Sequence, residues 1–192
     1  MKDIDTLLKE VKRIHFIGIG GSGMCPLAEI LLSLGYQLSG SDNNDTETFR
    51  RIEKEGAKVY LGQTKANLTP DIQLVIYTNA ILEGNEELEW AKTHYPCFER
   101  AELLGAMSRI FSNCIGISGT HGKTTTSSMT TQVLLEAGLD PSAVIGGKLP
   151  AMAVSCLPLT PTAATATAKT LYVKVANTTT PFCTWIRTLR WC

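Results

Sequence analysis

The sequence predicts an α/β chain built on parallel sheets, in two successive domains, the second of them truncated. Three observations carry that expectation. Short apolar runs alternate with helical stretches at the spacing of βαβ units. Two glycine-rich segments each lie between an apolar run and a helical stretch. Composition then changes abruptly after residue 150: all 16 glycines and all 18 acidic residues precede that point. Residues 151–192 carry four basic residues, ten threonines and no acidic residue, which marks a boundary.

The elements follow in order. Ile14 to Ile19 is an apolar run ending in glycine, the pattern of a strand buried on both faces. Met24 to Leu34 has apolar residues at helical spacing, and Gly35 stops it. Tyr36 to Ser39 reads as a second strand, Thr46 to Glu55 as a helix and Ala57 to Leu61 as a third strand. Leu74 to Thr78 is a fourth. Glu86 to Thr93 and Glu99 to Met107 read as helices around a short extended piece at Cys97-Phe98. A new cycle begins with the strand Asn113 to Ser118 and the helix Lys123 to Ala137. The domains expected are therefore 1–108, 109–150 and an aberrant, poorly ordered tail at 151–192, with the junction near 108–112.

Bulk properties exclude several classes. Hydrophobic content is 44% and formal net charge is zero, so no basic excess points to nucleic acid. No run of about 18 apolar residues suggests a membrane span, and Met1 to Lys12 lacks a signal-peptide core. A cytoplasmic protein with neither nucleic-acid nor membrane partners is expected. The six cysteines (25, 97, 114, 156, 183 and 192) show no metal-ligand spacing and read as free thiols.

The first glycine segment, Gly18-Ile19-Gly20-Gly21-Ser22-Gly23, fits G-x-G-x-x-G between strand and helix. Glycines there allow a tight turn and close approach of a diphosphate, whose charge a helix N-terminus favours. Asp42 follows at the end of the second strand, placed to accept a ribose hydroxyl. This makes the first domain Rossmann-like, although the motif does not choose between NAD, FAD and a UDP-sugar. A plain strand–helix turn that needs glycine is the simpler alternative.

The second segment, Gly119-Thr120-His121-Gly122-Lys123-Thr124-Thr125, departs from the strict G-x-x-x-x-G-K-[ST] form, because Ile117 holds the first glycine position. It retains the chemistry of an ATP phosphate loop, so the start of a P-loop ATPase-like α/β domain is expected. Backbone N–H groups wrap phosphates, Lys123 neutralises the β/γ oxygens and Thr124 ligates Mg²⁺. His121 is a nucleotide contact or a loop residue that simply packs. His15 and His94 read as structural, without partners for a triad, and Trp90 as a core residue of its helix.

Two such loops about 100 residues apart resemble the Mur ligases of peptidoglycan synthesis. The strings Ile14-His15-Phe16-Ile17-Gly18-Ile19-Gly20-Gly21-Ser22-Gly23-Met24, Ser39-Gly40-Ser41-Asp42 and Thr78-Asn79-Ala80-Ile81 carry the resemblance. So does Gly119 to Thr126, whose histidine favours the alanine-adding branch. The resemblance covers Ile14 to about Pro150, roughly the first third of a family member. It implies UDP-N-acetylmuramate held by Gly18, Ile19, Gly20, Gly21, Ser22, Gly23 and Asp42. It also implies ATP and Mg²⁺ at Gly119 to Thr125, with Lys123 catalytic and Thr124 on the metal, and L-alanine as co-substrate. The implied reaction activates the muramoyl carboxylate as an acyl phosphate, which the alanine amine attacks. A related tripeptide ligase of murein recycling, a non-catalytic nucleotide-binding fragment and an NAD oxidoreductase are the alternatives; the last leaves the second loop unexplained.

The resemblance stops at Pro150, and the family's later acidic metal ligand, catalytic histidine and modified lysine have no counterpart. A frame change accounts for this. Codons for Val173 to Cys192 can be chosen so that reading two bases downstream gives EGCEYHDTFLHLDPDVAVV, a string similar to the family's missing segment. Ligase activity of this chain alone is accordingly expected to be absent. Sequencing the coding DNA from codon 140 in all three frames should show a single insertion or deletion that restores a long ligase-like frame; its absence rules the frame change out.

Overall fold

The computed structural model describes residues 3–81, 83–111, 113–139, 141–145 and 170–174. The chain divides into two compact units, Met1–Leu104 and Gly105–Cys192. The division lies inside a helix, a few residues before the 108–112 junction read from sequence.

The first unit holds α1 (Ile4–Glu10), β1 (Arg13–Ile17), α2 (Cys25–Ser33), β2 (Gln37–Asp42), α3 (Glu47–Lys54) and β3 (Lys58–Leu61). After a short 3-10 turn at Lys65–Asn67 come β4 (Leu74–Tyr77), α4 (Glu86–His94), β5 (Cys97–Glu99) and the start of α5 (Arg100–Ile110). The five strands form one parallel sheet in the order β3-β2-β1-β4-β5. That order reverses direction between β1 and β4, the place where doubly wound folds bind ligands at the strands' carboxyl ends. The predicted α/β class and Rossmann-like sheet are present.

Strand alternation sorts the core. Ile17 and Val75 pack on one face with Ala91 of α4, Leu68 and Ile72. Ile14, Phe16, Leu74 and Ile76 point to the opposite face and are fully buried. Helix starts are fixed locally: Thr46 accepts the Phe49 N–H at 3.2 Å and Asn85 the Leu88 N–H at 2.9 Å, each an N-cap of the usual kind. Helix α1 was not foreseen. Its Ile4, Leu7 and Leu8 are buried, but seven residues give too short a period to separate from a charged leader.

Gly40 lies within β2 because Ile19 crosses there. A Cβ at Gly40 would sit 2.7 Å from Ile19 Cδ1 and 2.8 Å from the Phe16 carbonyl. Helices α2 and α3 are joined through a buried carboxylate. Arg51 Nε donates to Glu29 Oε1 at 2.7 Å, and Glu29 is fully buried. Glu55 stands beside that pair, 4.0 Å from Arg51 Nε. Burial, and then the Glu29 charge, push its carboxyl up from 4.5 to about 7.

The second unit contains β6 (Asn113–Ile117), α6 (Lys123–Glu136), β7 (Pro141–Val144) and β8 (Thr170–Lys174). These strands make a parallel sheet ordered β6-β8-β7. Ala143 and Ile145 are buried, with Ile115, Ile117, Leu134 and Leu135 packed against them. The expectation of a poorly ordered tail falls mostly on residues outside those described, but Thr170–Lys174 pair with β6 on one side and β7 on the other. Thr-Leu-Tyr-Val is rich in β-formers and free of glycine and proline. The threonine-rich composition around it hid the run.

Two outcomes follow. Gly40→Ala should lower the urea midpoint by ~2 kcal/mol equivalent, since overpacking a full core costs about 1–3 kcal/mol. Because the folded-state pKa of Glu55 lies above its unfolded value, stability should be greatest below pH 4.5 for this group and fall as pH rises toward 7. The loss is on the order of 2–3 kcal/mol, and Glu55→Gln should flatten that slope in urea titrations run across the window.

Candidate functional site

The first loop turns at the end of β1. Gly18, at φ 87°, and Ile19 both donate their N–H to the Ser41 carbonyl, at 2.8 and 3.0 Å. Gly18 also abuts the loop after β4, since a Cβ there would lie 3.0 Å from Thr78 Cγ2. Gly20 packs beneath the end of β2: a Cβ would meet Asp42 Oδ2 at 3.0 Å and Phe49 and Thr46 at 3.2 Å. Glycine is therefore required at this position by the close approach of the chain's own side chains.

Asp42 does reach the loop. Its Oδ2 accepts the Gly20 N–H at 3.0 Å and its Oδ1 the Asn44 N–H at 3.0 Å. The carboxylate is thus half engaged by the chain itself. Beside the switch point lies a cavity of about 360 Å³. Tyr77, Thr78 and Asn79 from the end of β4, and Lys92 and Glu99, are among its walls. Asn79 Nδ2 donates to Glu99 Oε2 at 3.0 Å, tying the loops after β4 and β5. Burial and the nearby Glu99 and Glu102 charges raise the Tyr77 phenol above its usual value.

Behind the site lies a polar cluster that sequence reasoning missed. His15 Nδ1 is 2.8 Å from Ser39 Oγ and its Nε2 is 2.9 Å from Glu87 Oε1. Ser41 Oγ donates to Glu87 Oε2 at 2.6 Å, and Asn67 Nδ2 to Oε1 at 3.2 Å. His15 therefore has the partners that its sequence neighbourhood did not suggest, brought from 24 and 72 residues away. The serine that meets His15 is Ser39, which is half-buried, whereas His15, Glu87 and Ser41 are fully buried. His94 stacks on Trp90 with centroids 3.9 Å apart. Trp90 is 44% exposed, so it is not the core residue expected. Burial, foremost, pushes the Cys25 thiol up to about 12 and Cys97 to about 11, which leaves both poor nucleophiles.

The second loop joins β6 to α6. Gly119 and Gly122 have φ 154° and 75°, and Gly122 caps α6 without a side-chain bond. The N–H groups of Gly122, Lys123 and Thr124 donate to no described residue, so the turn is open to an anion. Lys123 folds back, its Nζ contacting the Gly119 carbonyl and lying 3.0 Å from the Thr120 carbonyl. Thr124 is half-buried, and Thr120, His121 and Thr125 are exposed. Among the described residues no cluster of three or more His, Cys, Asp or Glu side chains gathers to hold a metal.

Residues 13–112 match the Mur ligase family, catalytic domain. The chain belongs to the Mur ligase family. It is 52% identical over 139 residues to the UDP-N-acetylmuramate–L-alanine ligase of Clostridium kluyveri, covering 72% of this chain and 30% of that protein. The corresponding ligase of Aquifex aeolicus is 42% identical over 144 residues, covering 74% of this chain and 31% of its own length. Among solved structures, the UDP-N-acetylmuramate:L-alanyl-γ-D-glutamyl-meso-diaminopimelate ligase of Neisseria meningitides superposes with TM-score 0.73 at 33% identity. That match covers 85% of this chain and 52% of the other. A murein peptide ligase from Psychrobacter arcticus gives 0.74 at 27% identity, over 86% and 38%. The chain spans about a third of the length of the curated Mur ligases it matches.

If the buried cluster is structural, Glu87→Ala should cost about 3–5 kcal/mol in urea unfolding, the range for stripping one partner from a buried polar network. A serine-directed fluorophosphonate should leave Ser39 and Ser41 unlabelled in the native Mur ligase chain.

Proposed function

We propose that the chain carries the two nucleotide-binding loops of a UDP-N-acetylmuramate–L-alanine ligase, and that by itself it binds without completing ligation. The observation that supports this most is the pairing of two glycine loops, each at the carboxyl end of a parallel strand, in a chain 42–52% identical to ligases of that name. In this reading Gly18, Ile19, Gly20, Gly21, Ser22, Gly23 and Asp42 receive the UDP-sugar at the switch point between β1 and β4. Gly119, Thr120, His121, Gly122, Lys123, Thr124 and Thr125 receive ATP.

The residues suit magnesium-bound ATP. Thr124 follows the open N–H groups of Gly122 and Lys123, and Mg²⁺ bound with a nucleotide needs only one or two protein oxygens beside phosphates and water. The metal, when bound, neutralises charge on the phosphoryl oxygens. Lys123 must leave the Gly119 and Thr120 carbonyls and place its ammonium on the phosphates instead. The loop N–H groups orient the nucleotide. L-Alanine would supply the attacking amine to the muramoyl carboxylate once that is activated.

Turnover needs more than these loops. After the second loop the acidic side chains are Glu136 and Asp140, and residues 151–192 carry none. A cytoplasmic setting fits the family's role, and no described helix is long and apolar enough to cross a membrane. The tripeptide ligase of murein recycling stays as the second reading, because the superposed structures from Neisseria and Psychrobacter are of murein peptide ligases.

Calorimetry with UDP-N-acetylmuramate and with Mg-ATP tests the binding part, and Lys123→Ala should abolish the ATP signal while sparing the UDP-sugar. Alanine-dependent ADP release by the purified chain should stay at background; clear turnover would refute the claim of binding without ligation. Faster turnover with the tripeptide than with alanine would favour the second reading.

A further inference from the structure

The first glycine loop leaves few of its N–H groups for a ligand. Gly18 and Ile19 donate to the Ser41 carbonyl, Gly20 to Asp42 Oδ2 and Gly21 to the Gly18 carbonyl at 3.2 Å. Met24 and Cys25 both donate to the Gly21 carbonyl at 2.9 Å, and Pro26 has no N–H. Two remain. The N–H groups of Ser22 and Gly23 donate to no described residue, and Ser22 is exposed.

A guanidinium lies beside them. A Cβ on Gly23 would be 3.4 Å from Arg100 Cδ, 3.5 Å from Nε and 3.7 Å from Cζ. Gly23 thus lets Arg100, the first residue of α5, lie against the loop. Arg100 is half-buried and makes no ion pair among the described residues, although carboxylates flank it in sequence. Glu99 receives the Asn79 amide, and Glu102 Oε2 receives the Glu99 N–H at 2.8 Å. Both are turned to other partners. A half-buried guanidinium without a counter-charge, next to two open N–H donors, has the chemistry of an anion clamp. At the Gly20 end the Asp42 carboxylate already occupies the donor and would repel a second anion.

We propose that Arg100 binds the diphosphate of the nucleotide ligand, together with the Ser22 and Gly23 N–H groups. The phosphates then lie at the Ser22–Gly23 end of the loop, and Asp42 closes the Gly20 end to them. This rests on the reading of the first loop as a UDP-sugar site, and it adds the residue that recognises charge. Sequence inspection passed over Arg100 because it lies 77 positions after Gly23 and belongs to no glycine motif.

The test uses the full chain with uridine, UDP and UDP-N-acetylmuramate in calorimetry at two salt concentrations. Arg100→Ala should weaken UDP and the UDP-sugar about 10-fold or more, as loss of a charge-assisted pair does. Uridine should bind both proteins equally, and Arg100→Lys should fall between. Gly23→Ala, which keeps the arginine but displaces it, should also weaken UDP more than uridine. If wild type binds UDP and Arg100→Ala binds it as well, the assignment of Arg100 is wrong while the UDP-sugar reading stands. Equal losses for uridine and UDP would make Arg100 a structural residue and overturn the proposal. Failure of the wild type to bind UDP or the UDP-sugar would sink the site reading and this inference with it.

Discussion

The Ser41 carbonyl accepts two N–H groups from the turn that follows β1, those of Gly18 and Ile19. That double contact holds the first loop against the end of β2, and much else in the first unit is arranged to permit it. Gly40 must lack a side chain so that Ile19 can cross β2. Gly20 must lack one so that the loop can reach Asp42. Glu87 grips the Ser41 hydroxyl from below while also holding His15 and Asn67. One buried carboxylate therefore links β1, β2, α4 and the 3-10 turn to the strand end on which the loop rests.

Such a network is a poor source of net stability but a strong source of specificity. Burying Glu87 costs desolvation energy that its hydrogen bonds offset only if all of them form together. A register slip of β2 by one residue would turn Ser41 away and leave the carboxylate without its partner. The arrangement consequently fixes where Asp42 and the loop lie to within a hydrogen-bond length. Glu29 and Arg51 do the same between α2 and α3, at the cost of the raised carboxyl of Glu55.

Legibility in the sequence followed the range of each interaction. The loops were readable because strand, glycines and helix are contiguous, and local sterics alone demand glycine there. The strand order was consistent with the alternation of elements. Glu87 was not readable: it lies in a run of acidic residues that looks like a solvated helix start, and only packing shows which one turns inward. His15 appeared isolated because its partners arrive through the sheet. Strand β8 was hidden for a different reason. Thr170–Lys174 has β-forming residues, but pairing with β6 and β7 is decided by long-range contacts, and the surrounding composition suggested no order. Asp42 was located correctly at the strand end, yet its engagement with the Gly20 N–H could not be seen without the turn's shape.

The two loops manage their free charge in opposite ways. In the first, the N–H groups of Gly18, Ile19, Gly20 and Gly21 are satisfied internally, those of Ser22 and Gly23 donate to no described residue, and Asp42 brings a carboxylate to the turn. In the second, the N–H groups of Gly122, Lys123 and Thr124 donate to no described residue, and the cation Lys123 is turned onto the loop's own carbonyls. A ligand at the first loop meets a shape already set, so little ordering opposes its binding. A ligand at the second must first draw Lys123 from Gly119 and Thr120, exchanging two neutral acceptors for charged phosphate oxygens. That exchange favours a highly charged ligand over a neutral one, because the ammonium gains full opposite charges in place of carbonyl dipoles. In the proposed reading, the resting position of Lys123 sets the preference for a polyphosphate at the second loop, whereas at the first loop charge is read by Arg100 beside a turn of fixed shape.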